Sequence, residues 1–109
     1  MRETARRLES LERVGRALSD PTRTRVLLAL VRKSAYPSEL AAAIGTTRQN
    51  VSNHLTCLRG CGLVRAVPEG RHIRYELADP ALGTLLLELS DVAVAAHCDE
   101  CDGRSRRAG

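Results

Sequence analysis

The apolar residues of this chain change their period twice. From Leu8 to Leu58 they recur at three- and four-residue intervals, between Leu63 and Leu77 they alternate, and from Pro80 the helical spacing returns. A two-stranded hairpin of such length is only marginally stable alone, so any fold for this sequence must pack it against several short helices. The element boundaries carry their own chemistry. Leu8, Leu11, Val14, Gly15 and Leu18 share one face of a first helix over about 5–18. Asp20 as N-cap and Pro21 in the first turn open a second helix that runs through VLLALV to about Lys33. Ser34 to Pro37 breaks it, a short third helix turns Leu40, Ala41 and Ile44 inward, and Gly45 is placed to stop that helix in the left-handed conformation. Thr46 or Thr47 can cap a fourth helix, which buries Val51, Leu55 and Leu58 and ends between Gly60 and Gly62. LVRAV and RHIRYEL form the hairpin, with Pro68, Glu69 and Gly70 as its turn and Ile73, Tyr75 and Leu77 alternating against Arg74 and Glu76.

With 109 residues, the chain makes one domain rather than two with separate cores. Without Trp or Phe, its core comes from Leu, Val, Ile and Ala, which favours packed helices. The domain is expected over 1–102, with GRSRRAG at 103–109 as a disordered tail. The last helix, from Pro80, is apolar around most of its circumference. Leu82, Leu85, Leu86, Leu89, Val92 and Val94 cannot all face so small a core, which predicts a symmetric homodimer formed through the first and last helices.

Charge divides the chain. Residues 1–33 carry nine basic and four acidic side chains and residues 47–74 five arginines against Glu69, whereas residues 76–102 hold seven carboxylates and no Lys or Arg. A basic front suits a polyanion, and an acidic rear suits a cation. No apolar run is long enough to span a bilayer and the N-terminus is amphipathic and charged, so a cytoplasmic protein without membrane contact is expected. Thiols stay reduced there, which makes the four cysteines reactive or metal-binding rather than a disulfide framework. Neither a Ser–His–Asp arrangement, a Gly-rich phosphate loop nor a helical HExxH motif is present, which argues against an enzyme.

The order helix, short helix, Gly-containing turn, helix, hairpin is that of a winged helix-turn-helix: mainly α, with the hairpin as wing. A helix of this kind enters the major groove of double-stranded DNA and reads base edges with side chains near its N-terminus. With Val51, Leu55 and Leu58 inward, Gln49, Ser52, Asn53 and Thr56 point the other way. Thr47 and Arg48 flank them, and Arg71, His72 and Arg74 on the wing are placed for phosphate or minor groove.

Cys57 and Cys61 stand four apart, so both sulfurs lie on one helix face, about 100° from the centre of the buried stripe and off the core. Cys98 and Cys101 form a second pair, CDEC, in the acidic region. Thiolates select soft or borderline ions. His54 and His97 are further donors, with packing or hydrogen bonding within the fourth helix the plainer role for His54.

The stretches DPTRTRVLLALV, SELAAAIGTTRQNVSNHLTCLRGCGLV and EGRHIRYEL resemble the ArsR/SmtB family of metal-responsive bacterial repressors, across roughly residues 10–97. The resemblance, which is strongest to cadmium- and lead-responsive members, implies a homodimer that binds operator DNA when metal-free and leaves it when a soft ion binds. It implies cadmium or lead as effector, with zinc open, and carries Cys57 and Cys61 over as ligands. The third is Cys101 or Cys98, or both, with Cys101 preferred. SELAAAI lacks the cysteines of arsenic-type members, and only His97 and Glu100 match part of the zinc-type pattern. Two other readings stay open: a thiol-based redox repressor of the same fold, and a metal-buffering or interaction module that regulates nothing.

Overall fold

In the computed structural model, residues 1–95 are described. They form α1 (Arg2–Leu18), α2 (Pro21–Arg32), α3 (Pro37–Ile44), α4 (Arg48–Gly60), β1 (Val64–Glu69), β2 (His72–Leu77) and α5 (Pro80–Ala95). No helix among the described residues is long and apolar enough to cross a membrane.

Local chemistry sets the helix ends as the sequence predicts. The Asp20 carboxylate accepts the backbone N–H groups of Thr22 and Arg23 at 2.8 and 3.1 Å, satisfying two donors that the first turn of α2 leaves open. Gly45 takes φ 83°, and the Thr46 N–H reaches five residues back to the Ala41 carbonyl at 3.1 Å, which closes α3. Of the two threonines that follow, Thr47 is the cap: its hydroxyl accepts the Asn50 N–H at 3.0 Å. The Asn50 side chain in turn donates to the Thr46 hydroxyl at 3.0 Å, so the turn between α3 and α4 is held by its own polar side chains.

The hairpin turn lies further along than the sequence indicates. Pro68 and Glu69 belong to β1, and the two-residue loop is Gly70–Arg71, with Glu69 opposite His72 and Pro68 opposite Ile73. Gly70 supplies the positive φ, 61°, that such a loop needs. Pro68 is tolerated for a reason visible two pairs away. Tyr75 exchanges both of its backbone bonds with Ala35, at 2.8 and 3.0 Å, and so makes none to Ala66 opposite it in β1. Antiparallel pairs alternate, so Pro68–Ile73 is also a pair without ladder bonds, and the missing proline N–H costs nothing there. Ala35 serves as a one-residue third strand that fastens the wing to the helices.

The core centres on α2 and α4. Val26, Leu27 and Leu30 meet Leu40 and Ala41 of α3, Val51, Leu55 and Leu58 of α4, Leu63 and Val64 at the start of the wing, and Leu86 of α5. The stripe predicted for α4 is completely inaccessible, at 0% exposure for all three residues. Elsewhere the apolar pattern overstates burial. Ile73 lies near the wing tip and is exposed, so only Tyr75 and Leu77 of its alternating set reach the core. Leu8 and Leu11 are exposed because, among the described residues, α1 meets the core near its end, through Val14, Ala17 and Leu18. On α5, Leu86 is buried and Leu82 partly so, while Leu85, Leu87, Leu89 and Val92 stay in solvent. Gly83 lets α5 lie close: a Cβ there would stand 3.3 Å from Leu77 Cδ1 and 3.4 Å from Val31 Cγ1.

Candidate nucleic-acid interface and metal centre

The buried stripe of α4 fixes which side chains it offers outward. Arg48, Gln49, Asn53 and Thr56 are exposed and Ser52 is half-buried. Gln49 Nε2 donates to Asn53 Oδ1 at 3.1 Å, which leaves the Gln49 carbonyl and the Asn53 amide N–H groups for an outside partner. Two of the predicted contact residues already carry structural bonds. The Thr47 hydroxyl caps the helix, and the Thr56 hydroxyl donates to the Ser52 carbonyl at 3.0 Å.

The wing divides its arginines. Arg71, in the loop, is exposed. Arg74 is half-buried: it pairs with Glu69 at 2.8 Å and Glu76 at 3.3 Å and donates to the Ser34 hydroxyl at 2.7 Å. Its guanidinium therefore joins the wing to the segment before α3. The same network includes Tyr36, whose phenol donates to Glu69 Oε1 at 2.6 Å and whose ring packs edge-on against His72 with centroids 5.7 Å apart. The Tyr36 and Arg74 bonds hold the Glu69 carboxyl below its ordinary range. The Glu69 bond raises the Tyr36 phenol, with help from burial, and also raises Arg74. Arg48, Ser52 and Arg71 share a cleft of about 340 Å³ with Tyr36, Ser38 and His72. Sequence reasoning did not single out Tyr36 or Ser38. The signal available was Pro37, which starts the helix that packs against α4.

The two described cysteines occupy the other end of α4. The Cys61 N–H bonds the Cys57 carbonyl at 3.0 Å, which places them one turn apart. Cys57 is exposed, off the core as predicted. Cys61 is not: as the C-cap of α4 it is half-buried and packs against the core, because the chain turns inward there through Gly62, φ 79°. Arg23, another residue that sequence reasoning passed over, donates from Nη1 to Cys57 Sγ at 3.7 Å. Two of its other donors hold the end of α1, Nη2 on the Arg16 carbonyl at 2.9 Å and Nε on the Ala17 carbonyl at 3.3 Å. The Asp20 carboxyl nearby is depressed, chiefly by the Arg23 backbone N–H, with a smaller contribution from half-buried His54.

Two sulfur donors one turn apart, at least one of them open to solvent, fit a soft cation but do not complete its coordination. Among the described residues no group of three His, Cys, Asp or Glu converges. Cys98, Cys101, His97 and the 103–109 tail lie outside the described residues.

The profile of a family described as bacterial regulatory protein, arsR family, matches residues 20–66, from the cap of α2 into the wing. Over 100 residues the chain is 56% identical to the HTH-type transcriptional regulator CmtR of Mycobacterium tuberculosis, covering 92% of this chain and 80% of that one. The NMR structure of the cadmium metal-sensor CMTR from Mycobacterium tuberculosis superposes with a TM-score of 0.67 at 57% identity, covering 82% of this chain and 93% of that one. A homodimeric winged helix-turn-helix DNA-binding domain from Mycobacterium bovis, Mb0332, gives a TM-score of 0.74 at 29% identity, covering 86% and 90%.

Proposed function

Because the chain belongs to the ArsR family of bacterial regulatory proteins, whose relatives are transcriptional regulators and not enzymes, we propose that it is a homodimeric repressor released from operator DNA by a soft metal ion. Gln49, Ser52 and Asn53 read base edges in the major groove, Thr47, Arg48 and Thr56 flank them, and Arg71 holds phosphate from the wing. Arg74 acts at one remove, by fixing the wing. Cys57 and Cys61 hold the ion, and Cys101 or Cys98 from the segment after α5 completes the site. When bound, a cadmium or lead ion supplies a thiolate crosslink between the end of α4 and that segment, with zinc a weaker candidate.

The observation that carries this reading is the layout of α4: exposed polar side chains at its first turns, and two cysteines, Cys57 in its last turn and Cys61 at its C-cap. Thiols on the reading helix can bias its placement, and by linkage DNA must weaken metal binding by the same factor. Couplings of this kind run to about 1–3 kcal/mol. The homology to a cadmium sensor supports the choice of ion.

The test uses the reduced full chain and a DNA fragment selected by the metal-free protein from a random pool. Fluorescence anisotropy should show tight, salt-dependent binding that is lost on adding cadmium, and C57S should bind as tightly yet ignore cadmium. A C57S protein that still leaves the DNA sinks the metal site. Release by peroxide with no response to cadmium selects redox sensing instead.

A further inference from the structure

Arg23 sits at a junction of three helices. Its backbone N–H and that of Thr22 close the cap on Asp20 at the start of α2, its Nε and Nη2 bond the last carbonyls of α1, and its Nη1 reaches Cys57 Sγ on α4. Three directed bonds from one guanidinium leave it little freedom to rotate, because the fork is planar and its donors are fixed relative to one another. Holding the two carbonyls aims the third donor. The side chain is thus built against the Cys57 sulfur, 34 residues away in sequence.

We infer that Arg23 is a positioning residue of the metal centre: an outer donor that orients the Cys57 sulfur, remains on it when the ion is bound, and ties the site to the end of α1. The inference rests on the reading of Cys57 as a ligand. Charge decides whether the contact survives binding. Ligation requires the Cys57 thiol to lose its proton, and a guanidinium donates more strongly to the anionic sulfur that remains than to the thiol. A ligand sulfur keeps lone pairs directed away from the ion, and an N–H placed there stabilises its negative charge. Outer partners of this sort commonly contribute tenfold to a hundredfold to metal affinity. Since the same guanidinium grips the Arg16 and Ala17 carbonyls, any shift of the Cys57 sulfur is felt at the end of α1.

The experiment titrates reduced full-length wild type, R23M and R23K with cadmium, following thiolate-to-cadmium charge-transfer absorption, with a melting curve of each metal-free protein beside it. Methionine keeps much of the stem and removes every donor. Lysine keeps charge and a donor but cannot span the two carbonyls and the sulfur together. R23M should bind with Kd raised about tenfold, equivalent to about 1.4 kcal/mol. Its band should move to longer wavelength, because a sulfur deprived of its N–H gives up electron density more readily. R23K should recover part of both. A merely structural role would lower the melting temperature without moving the band. Unchanged Kd and band in both variants, with wild type showing the band, overturns this inference and leaves the metal reading intact. Absence of the band in wild type overturns both. Should R23M fail to fold, a folded R23K with wild-type band and affinity overturns the inference by itself.

Discussion

The Tyr36 phenol, at the N-cap of α3, donates across 2.6 Å to Glu69 Oε1 at the end of β1, so that one bond spanning 33 residues ties the wing to the helix that packs on α4. Its pH dependence follows from the direction of each shift. Glu69 and Asp20 are depressed in the folded protein, so their stabilisation is complete above the unfolded carboxyl range of about 4 and is lost as pH falls through the lower folded values. Tyr36 is raised, so its contribution holds below about pH 10 and is lost as pH rises through the folded value. Urea midpoints measured against pH should be flat near neutrality and fall at both extremes. E69Q should be less stable than wild type at pH 7, with the gap closing in acid. A gap that persists unchanged in acid would show that ionised Glu69 contributes nothing.

Core and reading residues on α4 should separate cleanly. L55A removes a side chain of 0% exposure and should cost about 2–5 kcal/mol, read as a lower urea midpoint. N53A, at an exposed position, should leave stability within about 0.5 kcal/mol of wild type. If L55A unfolds no more readily than N53A, the packing described for α4 is wrong.

Asn53 and Arg71 should differ in how they affect DNA binding. Losing a base contact in N53A should weaken binding by about 1–3 kcal/mol and relax preference at particular bases. R71A should weaken binding to all sequences alike and lower the salt slope by about one unit. Identical salt slopes for R71A and wild type would remove Arg71 from the phosphate contacts.

Gly45 is held at φ 83° with open space around it, so G45A tests backbone strain without a clash. The expected loss is about 1–2 kcal/mol, seen as a lower melting temperature. An unchanged melting temperature would mean that α3 can end in another way.

Leu85, Leu89 and Val92 on α5 expose an apolar strip, and Leu89 also borders a small hollow with Leu18, Leu28 and Leu86. If a second copy covers this strip, L89E should sediment as a folded monomer where wild type sediments as a dimer. A dimeric L89E would place the interface elsewhere.

What could be read from the sequence was what short-range chemistry decides. Asp20 and Pro21, Gly45, a threonine cap at 46 or 47 and the Val51–Leu55–Leu58 stripe each act within a few residues, and each has its expected structural role. What could not be read depends on partners far along the chain. Arg74 looks like a wing cation until Ser34, 40 residues away, is seen to accept its N–H. Arg23 looks like part of a basic helix until the fold brings Cys57 to it. The sequence puts the wing turn too early because Pro and Gly both favour turns, and only the pairing of Tyr75 with Ala35 reveals that Pro68 sits where no ladder bond is needed. A helical wheel places Cys61 off the core, but the wheel ends where the helix does, and this residue is its cap.

The length of α4 has a mechanical consequence. Gln49 and Cys57 lie eight residues apart on one unbroken helix, roughly 12 Å along its axis. A helix of that length behaves as a stiff lever. Pivoting it by about 10° at the sulfur end swings the other end through roughly 2 Å, enough to turn a sound hydrogen bond into none. On the proposed function, the contact with DNA and the contact with the ion sit on the same rod and need no relay between them.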